Sequence, residues 1–279
     1  MPNSKISRTT PETQAKSDWH PPTGTLGELI AAAILRAGEI RGVSRLDGPS
    51  EVAPFEASIR RQTVAVIAEV KRSSPSKGII NPGMDSGAQA RAYTSGGAAA
   101  VSVLTEPTRF SGSLEDIQAV RSATDLPILR KDFLVAGEQL IEARNAGASA
   151  ALIIVRAIEP HRLHHLSEVA GEIGLELLFE IRNEAELELA LHAGARIIGV
   201  NNRNLETLEV DPGTVGRLVP RIPPDCTAIA ESGYVSVSDV ERAALAGADA
   251  VLIGSAFSSS PDPEQAVRNV ANVMKRGRD

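Results

Sequence analysis

After residue 60 the chain settles into a rhythm in which short aliphatic runs alternate with stretches whose apolar residues recur at three and four spacing. The runs are VAVIAEVK (64–71), AAAVSVLTE (98–106), PILRKDF (127–133), AALIIVR (150–156), ELLFEIR (176–182), IIGVNNR (197–203), TAIAESG (227–233) and AVLIGSAF (250–257), eight in all. Runs of this length bounded by turn signals predict buried strands, and the intervening EQLIEARNAG and EAELELALHAG predict crossover helices. Such alternation implies a parallel sheet. Gly-Ala pairs at Gly97-Ala98, Gly147-Ala148, Gly194-Ala195 and Gly247-Ala248 recur at intervals of 50, 47 and 53 residues and mark a repeated βαβα quarter. A glycine there suits a left-handed helix end before the turn into the next strand. Eight parallel strands, each followed by a helix, close into a (β/α)8 TIM barrel of the α/β class, expected over residues 64–279. Neither GxGxxG nor GxxxxGK[ST] occurs, so nothing calls for a dinucleotide or ATP.

Ahead of the barrel the pattern changes. Thr25 and Glu28 have capping-box spacing, and Leu26, Leu29, Ile30, Ala33, Ile34, Ala37 and Ile40 repeat on one helical face. This predicts an N-terminal helical extension, an amphipathic helix over 25–41 docked on a larger body. A connector from Gly42 to Glu56 then leads into the barrel, so that 25–63 form one N-terminal unit. Residues 1–24 are rich in Ser, Thr, Pro and Lys and are expected to be a mobile tail. Trp19, the one tryptophan, reads there as a local anchor or an exposed side chain.

Composition narrows the class. Only 3% of residues are aromatic against 42% hydrophobic, so the core must be built from Val, Ile, Leu and Ala, as barrel interiors are. A net charge of -6, with no run of Lys and Arg, argues against a nucleic-acid partner. No apolar stretch approaches the roughly 20 residues needed to cross a membrane. The single cysteine, Cys226, cannot form an intramolecular disulfide and fits a reducing compartment, so a cytoplasmic location is expected. Beginning a strand, it reads as a small core residue. A monomer is allowed; the pattern does not fix the oligomeric state.

Charges gather at the ends of the runs. Glu69 and Lys71 end the first, Lys131 the third, Glu180 the fifth, Asn201 and Arg203 the sixth, Glu231 and Ser232 the seventh, and Gly254-Ser255 the eighth. In a barrel these positions converge on one mouth, where active sites form. Ion pairs bracing the rim would explain any one of them, but charges ending several strands, most of whose beginnings carry none, point to chemistry. ESGY and IGSAF place small residues and free backbone N–H groups where such barrels hold phosphate, so a small phosphorylated substrate is expected. Ser74, in the loop after the first strand, adds a hydroxyl to that region.

The set AEVKRSSPSKG, VLTEPTRFSGS, PILRKDF, LFEIRNEAEL, IGVNNRNLETLEVD, AESGY and ADAVLIGSAF resembles the indole-3-glycerol-phosphate synthase family over residues 64 to 258. IGS and ESG alone occur in many phosphate-binding barrels; ExKRxSPS together with KDF and NNRNL is specific. The resemblance implies ring closure of 1-(2-carboxyphenylamino)-1-deoxyribulose 5-phosphate with loss of CO2 and water, with no metal and no organic cofactor. It implies Lys131 as general acid, Glu180 and Lys71 as base and acid in rearomatisation, and Glu69 and Asn201 as positioning groups. Which lysine serves which step stays open. Lys71 and Arg203 would hold the substrate carboxylate. Phe110, Phe133, Leu152 and Leu205 would line the anthranilate slot, and Ser74, Ser232, Gly233, Gly254 and Ser255 would hold phosphate.

Some residues stand apart from the family pattern. Arg182 follows Glu180 by two, where a smaller polar residue or His is expected. His161, His164 and His165 cluster after the fourth strand without HExxH spacing, so no metal site is expected. A phosphoribosyl isomerase barrel would share the phosphate site but would put a Cys in the first strand, where this chain has Glu69 and Lys71. A non-catalytic barrel would be expected to lack one of Lys71, Lys131 or Glu180, and all three are present. A relative acting on a modified anthranilate stays open.

Overall fold

The computed structural model describes residues 19–278 other than 41, 44 and 45. Each of the eight aliphatic runs forms a strand: β1 Ala65–Val70, β4 Ala100–Leu104, β5 Ile128–Lys131, β6 Ala150–Ile154, β7 Glu176–Ile181, β8 Ile197–Asn201, β9 Thr227–Glu231 and β10 Ala250–Ile253. The remaining two, β2 Ser73–Ser74 and β3 Gly78–Ile79, form a small antiparallel hairpin in the loop after β1. All barrel pairs are parallel, and β1 closes the sheet by pairing with both β4 and β10. The crossover helices are α3 Ser86–Ser95, α4 Leu114–Ala123, α5 Gly137–Asn145, α6 Pro160–Glu172, α7 Glu184–His192, α8 Gly213–Leu218 and α9 Val237–Leu245; α10 Ser255–Ser258 and α11 Pro263–Val270 follow β10. With helices covering one side and a packed lumen on the other, every barrel strand is buried on both faces. That is why the strands read as unbroken apolar runs rather than alternating ones.

The Gly-Ala repeat has one geometry. Gly97, Gly147, Gly194 and Gly247 all take positive φ, between 82° and 99°. Each donates to the carbonyl three residues back while the following alanine donates five back, as in Gly147 N–H to Arg144 O at 3.1 Å and Ala148 N–H to Ala143 O at 3.0 Å. These Schellman ends satisfy the last helical carbonyls and aim the chain into β4, β6, β8 and β10.

Helix α1, Gly24–Glu39, crosses the mouth of the barrel. The expected Thr25–Glu28 capping box does not form. Thr25 lies inside the helix, and Glu206 in the loop after β8 takes over, its Oε1 accepting from Thr23 N–H at 2.8 Å and its carbonyl from Thr25 N–H at 3.2 Å. Glu28 pairs instead with Arg109 at 2.8 Å. The buried face is narrower than the periodicity suggests: Leu26, Leu29, Ile30 and Ala33 are buried, but Ile34 is 55% exposed. Trp19 is anchored, its indole N–H donating to Arg156 O at 3.3 Å, and Arg156 Nη1 returns a bond to His20 O at 2.7 Å. The tail expected over 1–24 otherwise lies, from 1 to 18, outside the described residues.

The connector hides a helix. α2, Phe55–Ile59, buries Phe55 and Ile59 completely, and Glu176 at the start of β7 caps it, both carboxylate oxygens accepting from Phe55 and Glu56 N–H at 2.7 Å. Five residues were too short to show a period. Cys226 is buried just before β9 with its thiol toward Ala195 O at 3.5 Å. Glu176→Ala is expected to cost about 1 kcal/mol through loss of the cap, lowering Tm by about 2–4 °C in a thermal melt; an unchanged Tm would mean that water replaces the carboxylate.

Candidate active site

Residues at strand ends converge because the strands are in register at the mouth. Glu69 pairs with Ser102, Leu104 with Lys131, Ile154 with Glu180, Glu180 with Gly199, and Asn201 with Glu231. Side chains two apart on a strand share a face, so each strand delivers its last inward residue to the same space. A single slot is lined by Glu69, Lys71, Ser74, Phe110, Lys131, Phe133, Leu152, Asn201, Arg203, Leu205, Ser232, Gly233, Gly254 and Ser255, every expected site residue but one. The exception is Glu180, which stands behind the wall, touching Lys131 and Asn201 and opening to an adjoining cavity.

Three carboxylates and two ammonium groups make up the polar floor. Lys71 Nζ lies 2.7 Å from Glu69 Oε1, and Lys131 Nζ lies 3.4 Å from Glu180 Oε2 and 3.7 Å from Glu231 Oε2. Asn201 Nδ2 donates to Glu180 Oε1 at 3.0 Å while its own Oδ1 accepts from Arg203 N–H at 2.8 Å, so its amide is oriented from both ends. Burial works against the Lys131 charge, but Glu180, Glu231 and Glu69 together outweigh it and raise its pKa. Glu231 feels the opposite balance. Burial and the neighbouring Glu180 and Glu69 push its carboxyl up to about 8, although Lys131 opposes them, and its Oε1 is buried with no hydrogen-bond partner. The floor therefore holds a charged acid next to a carboxyl that retains a proton near neutrality.

The crowding is possible because two positions carry no Cβ. A methyl at Gly199 would run into Glu231 Oε1, and one at Gly254 into Glu69 Oε1 and Lys71 Nζ. The lysine that ends β5 is flanked by a second layer. Asp132 accepts two bonds from Arg36 of α1 at 2.8 and 3.0 Å, one from Thr105 at 2.8 Å and one from Arg130 at 3.3 Å. Burial would raise its pKa, but these cations and hydroxyl hold it below the usual range. The apolar end of the slot is an aromatic pair, Phe110 and Phe133, with centroids 6.1 Å apart. At the other end Ser232 and Gly233 both take positive φ, 64° and 88°, beside Gly254 and Ser255 at the start of α10. A glycine at positive φ lets the backbone approach a ligand closely, without side-chain bulk in the way.

Several slot residues were not among the expected ones. Glu231 ends a strand in the sequence pattern without an expected role, although a charge inside TAIAESG is its signal. Lys77, Tyr234, Leu208 and, from α1, Thr25 and Leu29 also line the slot, placed there by loops and a helix whose docking no local pattern encodes. The three histidines are exposed and pair with Glu159 and Glu168. Among the described residues no group of three or more His, Cys, Asp or Glu is arranged to hold a metal ion, and no helix is long and apolar enough to cross a membrane.

Comparison with known proteins agrees with this geometry. A family model described as indole-3-glycerol phosphate synthase matches residues 41–270. The chain is 48% identical over 228 residues to the indole-3-glycerol phosphate synthase of a Nocardioides species, covering 82% of this chain and 86% of that one. It is 50% identical over 214 residues to indole-3-glycerol phosphate synthase 1 of Streptomyces coelicolor, covering 77% and 80%. Among solved structures, a thiamine phosphate pyrophosphorylase from Pyrococcus furiosus superposes with a TM-score of 0.56 at 15% identity, over 76% of this chain and 95% of that one, a likeness of fold alone.

Glu231 leads to a pH prediction. Its pKa is raised from 4.5 to about 8 on folding, so its contribution to stability is complete below about 4.5 and is lost as pH rises through about 8. Glu231→Gln should therefore gain stability relative to the wild type progressively from pH 5 to pH 9 in urea unfolding; a constant difference across that range would show that Glu231 titrates normally.

Proposed function

The chain belongs to the indole-3-glycerol phosphate synthase family, and on that premise we propose how the mouth residues divide the reaction. The enzyme converts 1-(2-carboxyphenylamino)-1-deoxy-D-ribulose 5-phosphate to indole-3-glycerol phosphate, releasing CO2 and water. One observation carries the proposed roles: Lys131 is held as an ammonium between Glu180 and Glu231 at the mouth, facing the slot.

The phosphate lies against Ser232, Gly233, Gly254 and Ser255, with Ser74 adding a hydroxyl; their backbone conformations and small size support this assignment. The anthranilate ring fits between Phe110, Phe133, Leu152 and Leu205, with its carboxylate toward Lys71 and Arg203. Lys131 donates a proton to the ketone oxygen as the aromatic carbon bearing the carboxylate attacks that ketone carbon, so that no free alkoxide develops. Departure of CO2 returns the electron pair to the ring. Glu180, swinging out from between Lys131 and Asn201 to reach the slot, then takes the proton whose removal completes the indole ring, while Lys71, held at 2.7 Å by Glu69, protonates the leaving hydroxide. Asn201 keeps Glu180 in position, and Glu180 keeps Lys131 charged. The single cysteine supports a reducing, cytoplasmic setting, and no step requires a second subunit.

Lys131→Ala and Glu180→Gln are each expected to reduce turnover by about 10²–10⁴-fold, measured by the absorbance or fluorescence of indole-3-glycerol phosphate, with substrate still bound in a fluorescence titration. A folded wild type that binds the substrate and does not turn it over would overturn the proposed chemistry.

A further inference from the structure

A second cavity adjoins the slot, sharing Asn201, Arg203 and Leu205 with it, reaches Leu26 of α1, and is bounded by Glu180, Arg182, Glu186 and Glu206. Its carboxylates are already engaged. Glu180 is held by Lys131 and Asn201. Glu186 accepts from Arg182 N–H at 2.7 Å and from Asn183 Nδ2 at 2.8 Å, and Glu206 accepts from Arg156 at 3.1 Å and Thr23 N–H at 2.8 Å. Two guanidinium groups are left over. Among the described residues the Arg182 side chain makes no hydrogen bond or ion pair, and its Nε is buried. Arg203 has no acidic partner there either; its Nη1 donates to Leu208 O at 2.8 Å, and burial lowers its pKa.

Arg182 is half-buried with its Nε out of water, and a guanidinium nitrogen buried without a partner is costly unless an acceptor, such as an anion that takes its fork of donors, meets it. An arginine whose only duty was to brace the rim would be expected to find a carboxylate, as Arg72 does with Asp116 and Arg36 with Asp132. We propose that this cavity is a binding subsite for a small planar oxyanion, a carboxylate or bicarbonate, with Arg182 as its defining cation and Arg203 as the cation shared with the slot. Planar two-oxygen anions match guanidinium forks. The proposal touches the ring-closure reading at one point, since that reaction brings a carboxylate to Arg203 and releases it as CO2. Two sources of the same chemistry are thus available, the substrate's own carboxylate and a free anion.

Titration with 13C-labelled formate, followed by NMR relaxation, tests the subsite without requiring turnover. Wild type should bind formate saturably, and Arg182→Gln should weaken binding by about tenfold or more. Arg182→Lys, which keeps the charge without the fork, should be intermediate and stands in should the Gln variant not fold. Indole-3-glycerol phosphate, which lacks the carboxylate, should leave formate bound. A substrate reduced at its ketone, unable to cyclise but still carboxylated, separates the sources: displacement of formate identifies the substrate's carboxylate as the occupant, and retention identifies a free anion. Absence of saturable binding, equal binding by a folded Arg182→Gln, or displacement by indole-3-glycerol phosphate would each overturn the proposal. A turnover assay on the same preparation keeps the ring-closure reading separately testable.

Discussion

Three carboxylates at one desolvated mouth repel one another, and what makes the arrangement tenable is Lys131. Its ammonium sits between Glu180 and Glu231 with Glu69 nearby, and their combined field raises its pKa against the pull of burial. Remove that cation, and several like charges would share a low-dielectric space with nothing to offset them. The conflict that remains falls on Glu231, the carboxyl with an unpartnered buried oxygen and a pKa pushed up to about 8. The groups proposed to carry the reaction are thus also those that carry the electrostatic cost.

The barrel is what makes such crowding geometrically possible. Parallel strands in register set Glu180 beside Gly199 and Asn201 beside Glu231, and the missing Cβ atoms of Gly199 and Gly254 leave space for the oxygens of Glu231 and Glu69. Support comes from outside the strands as well. Ser258 in α10 donates to Glu69 O at 2.9 Å and accepts from Lys71 N–H at 3.2 Å, so the strand end that carries both charges is pinned to the helix that follows β10. Arg36 ties α1 to Asp132, next to Lys131 in the chain, and Glu206 ties the start of α1 to the loop bearing Leu205. A helix outside the barrel repeat is in this way bolted to both ends of the slot.

Much of this was legible in the residues. Strands buried on both faces write themselves as aliphatic runs, and a charge at the end of such a run is conspicuous; Glu69, Lys71, Lys131 and Asn201 stood out for that reason. The Gly-Ala repeat announced helix ends that do adopt positive φ. What escaped was non-local. The Thr25–Glu28 spacing was a false capping signal because Glu206, 183 residues from Thr23, supplies the cap instead. Ile34 obeyed the period of α1 yet faces outward, since period alone does not say how wide the docked face is. Helix α2 was too short to show a period, and the contrast between paired and unpaired arginines around Glu180 exists only once the chain is folded.

The most direct measurement is the ionisation of the Lys131 side chain, by heteronuclear NMR of the protein labelled with 15N-lysine and assigned by Lys131→Ala. Held between its carboxylates, Lys131 Nζ should stay an ammonium from neutral pH well into the alkaline range, and should lose its proton at lower pH in Glu180→Gln. Deprotonation near neutrality in the wild type, or a titration unmoved by Glu180→Gln, would contradict the arrangement on which the site depends.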